Sequence, residues 1–361
     1  MKKNIRPIAI YLPQFYPTPE NDEWWGMGFT EWTNVAKAKP RFSGHYQPHL
    51  PADLGFYDLR VPEVRELQAQ LAKEYGIYGF CYYHYWFNGR RILERPVNEI
   101  LESKKPDFPF MLCWANENWT RCWVSKKTDI LLKQNYNLED DRNHIQYLIN
   151  NVFKDPRYIR IDNKPVFAIY RSTHIPHIEQ TLKLWREEAA KEEMELYLCR
   201  FEAHNFAGKE YLAQGFDAAV EFQPHAVTNL MQDKTIGTRI INKVTRTIFK
   251  KKVKATLLSY PQCVDYMCKQ PMPEYKRYPC VMPMWDNSSR NENGFLAFKN
   301  SSPQLYYKWL KYTIENFVPY STEENFLFLN AWNEWAEGNH LEPCRKWGRA
   351  YLEYTKKAIV E

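Results

Sequence analysis

The chain has 361 residues with 49 basic and 43 acidic side chains, a formal net charge of +6, and an aromatic content of 16% (13 Trp, 25 Tyr, 20 Phe) against only 13 Gly. That aromatic stock excludes a disordered chain, the scarcity of Gly excludes a collagen-like one, and the mild charge excess falls short of a nucleic-acid binder. No apolar run approaches the roughly 18 residues of a membrane span. What remains is a large globular protein rich in aromatic side chains.

In chain order, eight short apolar runs read as strands buried on both faces. They are Ile8–Leu12, Tyr78–Tyr83, Phe110–Trp114, Val166–Tyr170, Leu196–Cys199, Ala218–Val220, Cys280–Trp285 and Phe326–Leu329. Helical stripes lie between several of them. Pro62 opens one, with Val64, Leu67 and Leu71 along its face. Ile145, Leu148, Ile149 and Val152 form a second, Ile178, Leu182, Trp185 and Ala189 a third, and Tyr306, Leu310 and Ile314 a fourth. Strand and helix in alternation imply a parallel sheet, and eight strands imply its closure into a (β/α)8 TIM barrel. A doubly wound open sheet is the competitor, but Pro13-Gln14-Phe15-Tyr16-Pro17 follows the first run where a Gly-rich phosphate turn would stand. The whole chain, 1–361, reads as one catalytic domain, with long connections after strand 1 (residues 14–61) and strand 6 (residues 223–278).

In such a barrel the site lies where the strands end. Gln14 follows strand 1 and His84 strand 2; Asn116, Glu117 and Asn118 follow strand 3, and Arg171 strand 4. Arg200, Glu202 and His204 follow strand 5, Glu221 and Gln223 strand 6, and Asp286 and Asn287 strand 7. Asn333, Glu334 and Glu337 follow strand 8, and Tyr83, Tyr85, Trp86, Trp114, Trp119, Trp285, Trp332 and Trp335 are interleaved among them. Polar residues after a strand are ordinary. Carboxylates and amides interleaved with flat rings at every strand end are what a carbohydrate site needs, because sugars present hydroxyls on their edges and C–H bonds on their faces. Ten of the 13 Trp (Trp24, Trp25, Trp32, Trp86, Trp114, Trp119, Trp123, Trp285, Trp332 and Trp335) fall at strand ends or in the loops after them, which points to ligand platforms.

The sharpest segment is Trp332-Asn333-Glu334-Trp335-Ala336-Glu337-Gly338. Spacing alone is weak, since Glu63 and Glu66 share it on a helix where they read as a solvated face. On a continuing strand, residues i and i+3 point to opposite faces; in a helical turn their Cβ atoms come within about 5–6 Å. Retaining glycosidases hold two carboxyl groups about 5–5.5 Å apart. A turn here, ended by Gly338, therefore gives the pair the geometry of a net-retaining reaction, with the neighbouring charge raising one carboxyl so that it acts as acid.

Asn333-Glu334-Trp335-Ala336-Glu337-Gly338 resembles the catalytic segment of glycoside hydrolase family 99, the endo-α-mannosidases and endo-mannanases. The N-terminal half more closely resembles WbsX-like proteins of polysaccharide gene clusters, through Ile10–Tyr16, Trp25–Trp32, Gln47-Pro48-His49, Asp53–Asp58, Tyr82–Trp86 and Trp114–Trp119. The resemblance implies a (β/α)8 barrel with no cofactor and no metal. It implies Glu334 as the base that takes the proton from the sugar's own 2-hydroxyl and Glu337 as acid/base, acting through an epoxide-like intermediate. Substrate contacts are expected from Gln14, Trp25, Glu31, Tyr83, His84, Trp114, Asn116, Glu117, Arg200, Glu202, Trp285, Asp286, Asn333 and Trp335. Ala336 stands where those hydrolases carry a polar residue. WbsX-like proteins are commonly labelled glycosyltransferases or lipopolysaccharide biosynthesis proteins, so transfer to an acceptor hydroxyl is the alternative to hydrolysis; both glutamates argue against a non-catalytic sugar binder.

The expected partner is thus a polysaccharide or oligosaccharide, not nucleic acid. Asp140-Asp141 opens a predicted helix and suits its dipole rather than a nucleotide-sugar metal. His45, His49, His84, His225 and His340 lack ligand spacing on one helix, and Cys263 and Cys268 lack a second pair. Residues 239–254 form a basic amphipathic stretch, read as a solvated helix face in preference to a peripheral membrane contact. The N-terminal segment lacks the apolar core of a signal peptide, which points to the cytoplasm.

Overall fold

A computed structural model describes residues 4–120, 130–204, 206–232, 255–291 and 294–361. Trp123 and the basic stretch 239–254 lie outside these residues.

The main sheet is a run of nine parallel strand segments. In chain order the barrel strands are β1 (Arg6–Tyr11), β2 (Gly79–Phe87), β3 (Phe110–Trp114), β4 (Lys164–Ile169), β5 (Tyr197–Glu202) and β6 (Ala218–Glu221). Strand β7 comes in two pieces, Arg277–Tyr278 and Cys280–Val281, and β8 is Phe326–Leu329. The first piece of β7 pairs with β6 (Ala219 opposite Arg277) and the second with β8 (Cys280 opposite Phe328). The sheet's two ends are thus consecutive pieces of one run, and the barrel meets itself at Pro279. Proline has no N–H to give to a ladder, which accounts for the break; its carbonyl still accepts from Phe328 N at 2.8 Å.

All eight expected strands are present, and the eight-stranded α/β barrel is the fold. The seventh is shifted: it runs over 277–281, and Met282–Trp285 continues into the loop above the barrel. Interior packing follows the two-residue alternation of a strand. On β2, Cys81, Tyr83 and Tyr85 point to the barrel axis. Phe80, Tyr82, His84 and Trp86 point outward, His84 and Trp86 against His144.

The outer helices bury the expected stripes, Val64 and Ile314 in part, with Leu67 as the exception. Helix α3 (Pro62–Glu74; α1 and α2 belong to the first loop, below) starts on its proline but buries Arg65, Gln68, Ala69, Leu71 and Ala72. Leu67, expected in the stripe, is 53% exposed. The long polar residues face inward because Gln68 Nε2 donates to buried Glu342 (2.6 Å) and the Tyr11 hydroxyl donates to Gln68 Oε1 (2.7 Å). Helix α4 spans Arg95–Ser103. Helix α5 (Leu138–Leu148) is capped by Asn137 accepting from Asp140 N (2.9 Å) and continues as a π turn, Ile149–Phe153, which keeps Ile149, Val152 and Phe153 buried. Its first-turn acids also tie the layers together: Trp86 Nε1 donates to Asp140 and the Thr181 hydroxyl to Asp141. Helix α6 (Ile178–Ala190) buries Ile178, Leu182, Trp185 and Ala189. Each such side chain contributes about 1.5–3 kcal/mol on burial, so this interface holds the helix to the sheet.

Both long loops are structured over their described parts. The first holds α1 (Pro19–Trp25) and α2 (Glu31–Lys37). The second begins with α7 (His225–Gln232) and resumes as strand Thr256–Ser259, parallel to Leu296–Lys299, and α8 (Tyr260–Met267). Helices α9 (Pro303–Asn316) and α10 (Ala350–Val360) pack on each other. Among the described residues, no helix is long and apolar enough to cross a membrane.

Candidate active site

The segment after β8 makes a two-stranded hairpin, Asn333–Glu334 against Asn339–His340, whose tip is a 3₁₀ turn over Trp335–Glu337. In a 3₁₀ turn, residues three apart eclipse one another, so Glu334 and Glu337 present their carboxyls on one side. Gly338 ends the turn in the left-handed region (φ 54°), and a Cβ there would meet Asp286 main chain at 3.2–3.3 Å. Both requirements select glycine.

The two carboxylates share one cation. Arg290 donates from Nη2 to Glu334 Oε2 at 2.9 Å, from Nη1 to Glu337 Oε1 at 2.6 Å, and from Nε to Glu31 Oε1 at 2.8 Å. Glu31 opens α2, its N–H on the Gln14 carbonyl (3.1 Å), and Asn34 Nδ2 reaches the same Oε1 (3.3 Å). Burial pushes both Glu334 and Glu337 above the ordinary carboxylate range, with Arg290 opposing it and the carboxylates adding to one another. One guanidinium cannot neutralise three buried carboxylates, so the cluster favours holding a proton. A paired acid and base sharing that proton is what glycosyl chemistry needs.

These groups line a cleft of about 530 Å³ at the C-terminal ends of the strands, within the range of roughly 300–1,000 Å³ usual for small-molecule sites. Of the expected site residues, Gln14, Trp25, Glu31, Tyr83, Glu117, Trp285, Glu334 and Glu337 are in its wall. Trp285 Nε1 is buried with no hydrogen-bond partner among the described residues, a donor available to a ligand hydroxyl. Trp119, Tyr85, Asn118, His204 and Asn287, noted as strand-end residues, line it as well.

The other expected contacts are placed elsewhere. His84 sits behind the wall with Nε2 3.0 Å from His144 Nε2, and burial pushes it down to about 3. Trp114 is core, its Nε1 on the Trp86 carbonyl (3.2 Å). Asn116 fastens β3 to β4 by accepting from Arg171 N (2.7 Å) and donating to the Arg171 carbonyl (2.9 Å). Arg200 points to the outer layer, donating to Ser172 Oγ (3.1 Å) and the Phe206 carbonyl (2.6 Å). Glu202 accepts from Tyr275 (2.7 Å) and pairs with Arg277 (3.4 Å). Asn333 clamps Leu12 through its N–H (2.8 Å) and carbonyl (3.0 Å). Trp335 is buried, donating to Glu342 (2.6 Å) and stacked on His340 at 3.7 Å. Asp286 stands under the Trp335–Glu337 turn, accepting from Gln47 Nε2 (2.8 Å) and Ser288 N (3.0 Å), with His45 beside it; it borders a smaller cavity of about 260 Å³. The tryptophans divide likewise: Trp25, Trp119 and Trp285 line the cleft, whereas Trp32, Trp86, Trp114, Trp332 and Trp335 are buried core.

Sequence reasoning missed Arg290, Tyr170, Phe222, Asn34 and Lys37. Arg290 had a signal, four residues beyond Asp286 in the loop after β7. Lys37 and Asn34 follow from Glu31 by helical spacing once α2 is seen to open on the cleft. Among the described residues, no group of three or more His, Cys, Asp or Glu is arranged to hold a metal ion.

A family model described as "Glycosyltransferase WbsX" matches residues 7–355, and the chain belongs to that family. It is 39% identical over 355 residues to the uncharacterized protein WxcX of Xanthomonas campestris pv. campestris, covering 98% of this chain and 49% of that protein. A second WxcX, from strain B100, is 38% identical with the same coverage. The chain thus spans about half the length of these curated relatives. Among solved structures, it is similar to a glycoside hydrolase-like protein (TM-score 0.60, 13% identity, 99% of this chain and 94% of that one). It is also similar to the GH99 endo-alpha-mannosidase from Bacteroides thetaiotaomicron in complex with BIS-TRIS-Propane (TM-score 0.58, 14% identity, 98% and 96%). At such identities the likeness is one of fold.

Proposed function

We propose that this WbsX-family barrel is a glycan-active enzyme that breaks a glycosidic bond with net retention. In this reading Glu334 takes the proton from the substrate's 2-hydroxyl, which attacks C1. Glu337 gives its proton to the leaving oxygen and then takes one from the incoming nucleophile. Atoms balance in two steps: the C1–O bond to the leaving group is exchanged for an internal C1–O2 bond, and that bond is opened by water or by an acceptor hydroxyl as Glu334 returns its proton to O2. Water gives endo-hydrolysis; an acceptor gives transfer. The single observation that carries the reading is the Glu334/Glu337 pair on one 3₁₀ turn, facing an aromatic cleft and bridged by Arg290. The chemistry calls on no cofactor, since two carboxyls and a substrate hydroxyl supply every proton moved.

The transfer reading is favoured by the family's description and hydrolysis by the GH99 fold likeness. Incubating the protein with the surface polysaccharide of its host, with and without nucleotide sugars, separates them. New reducing ends without nucleotide sugar mean hydrolysis, and chain extension only with it means transfer. Glu334→Gln and Glu337→Gln are each expected to abolish either outcome; wild-type turnover in one of them overturns the assignment.

A further inference from the structure

The cleft has two electrically different ends. At one, three carboxylates surround Arg290. At the other, His204 and His225 bring their rings to 3.9 Å, with Tyr170 and Phe222 beside them in the same wall. Behind this pair stands Arg171, donating from Nη1 to Glu117 at 2.7 Å and from Nη2 to His174 Nε2 at 2.8 Å. A ring nitrogen that accepts from a guanidinium is unprotonated, so His174 adds no charge. Among the described residues, His225 Nδ1 in this wall is buried without a hydrogen-bond partner, as is Nε of Arg171 in the layer behind it. Buried polar atoms without partners are few in native proteins, and one on a ring in the wall of a cleft indicates a ligand that supplies the missing bond. The facing carboxylate, Glu117, is 42% exposed along its side chain.

We propose that this end of the cleft is a subsite for a negatively charged substituent on the glycan, a sugar carboxylate or a phosphate ester. The assignment deepens the glycan reading above and rests on it for the identity of the ligand. His204 and His225 donate ring N–H bonds to the anionic oxygens, and Arg171 supplies the fixed positive charge. The groups facing the two rings from neighbouring elements are Arg171, His174, Glu117 and the Tyr170 hydroxyl. Burial, reinforced by Arg171, holds His204 down to about 4, while burial, His204 and Arg171 hold His225 down to about 3. An arriving anion reverses that balance, so binding takes up a proton and strengthens as pH falls. A neutral sugar leaves Arg171 on Glu117 and gains none of this.

The test is calorimetric titration of the whole protein with D-glucuronate, glucose 6-phosphate, inorganic phosphate and glucose, near pH 6 and near pH 8, in two buffers of different ionisation enthalpy. The acidic sugars are expected to bind about ten-fold or more tighter than glucose, the size of one charge-assisted hydrogen bond, with proton uptake and with tighter binding at the lower pH. Preference for glucuronate or for the phosphate ester tells which substituent fits; inorganic phosphate alone matching the ester places recognition on the anion rather than the sugar. His204→Asn and Arg171→Met, each with an unchanged thermal midpoint, are expected to erase the preference. Equal affinity for glucose, preference surviving in both variants, binding without proton uptake, or no binding of either acidic sugar at tens of millimolar overturns the proposal. Anionic preference without turnover of any glycan would instead refute the catalytic reading and leave this subsite standing.

Discussion

Replacing Arg290 by Met removes the one cation that bridges Glu31, Glu334 and Glu337 while keeping a side chain of similar length. The wild-type guanidinium makes three charge-assisted contacts of 2.6–2.9 Å in a buried setting. Removing one partner of a buried ion pair costs about 3–5 kcal/mol, because the other charge is left uncompensated. That corresponds to a fall of about 4–7 °C in thermal midpoint for a chain of this size. The cost is conditional on ionisation. Glu334 and Glu337 already titrate above an unfolded carboxylate, chiefly through burial, and losing Arg290 raises them further. A carboxyl raised by folding keeps its proton in the folded state, so the stability it lends is complete below the unfolded value, near about pH 4.3, and is lost as pH rises through the folded one. Arg290→Met should therefore match wild type most closely near pH 5 and fall furthest below it near pH 8. Thermal unfolding of both proteins across that interval measures it, and Arg290→Lys, which restores charge but not the three-way fork, should lie between them. A deficit independent of pH, or one that grows toward acid, would show that Arg290 acts by packing and would refute the shared-cation argument.

Glu334→Gln or Glu337→Gln should leave the thermal midpoint near pH 8 unchanged or higher, since each removes one of three carboxylates competing for one guanidinium; scanning fluorimetry beside a turnover assay checks both halves. Trp285→Phe keeps an aromatic face and removes the Nε1 donor that has no partner among the described residues, so KM should rise about 2- to 12-fold, one hydrogen bond's worth. His84→Ala should lower stability by about 1–3 kcal/mol, because His144 loses its buried partner, yet leave KM for the glycan unaltered. A KM effect from His84→Ala would mean that its side chain reaches the cleft after all.

The contrast between His84 and Tyr83 explains how much of the site the sequence carried. The strand ends and their aromatic neighbours were legible because buried parallel strands are unbroken apolar runs, and whatever follows them lies at the mouth of the barrel. Which of them face the cleft is decided by the two-residue alternation of a strand. Tyr83, Ala115, Glu117 and Tyr170 have the parity that faces the axis, and they line the cleft. His84, Trp114, Asn116, Arg200 and Glu202 have the opposite parity on β2, β3 and β5. They are spent on fastening the wall to the helices and strands around it. Their polar or aromatic character looked functional because an outer face packed against helices needs hydrogen bonds too. The same logic misled the reading of Trp: a large ring at a strand end fills the gap between barrel and helix as readily as it meets a sugar, and only Trp25, Trp119 and Trp285 among the described residues do line the cleft.

Arg290 marks where local pattern stops being informative. Its partners lie 259, 44 and 47 residues away along the chain, on the first loop and the last turn of the barrel. The closing of the sheet at Pro279 brings the loop after β7 beside β8, and α2 swings Glu31 over from the loop after β1. A turn with two glutamates is readable as a candidate acid and base, but whether both can be ionised at once depends on a cation that only closure of the barrel delivers. The Glu334/Glu337 motif therefore specifies a candidate acid and base, while their proton count is a property of the fold.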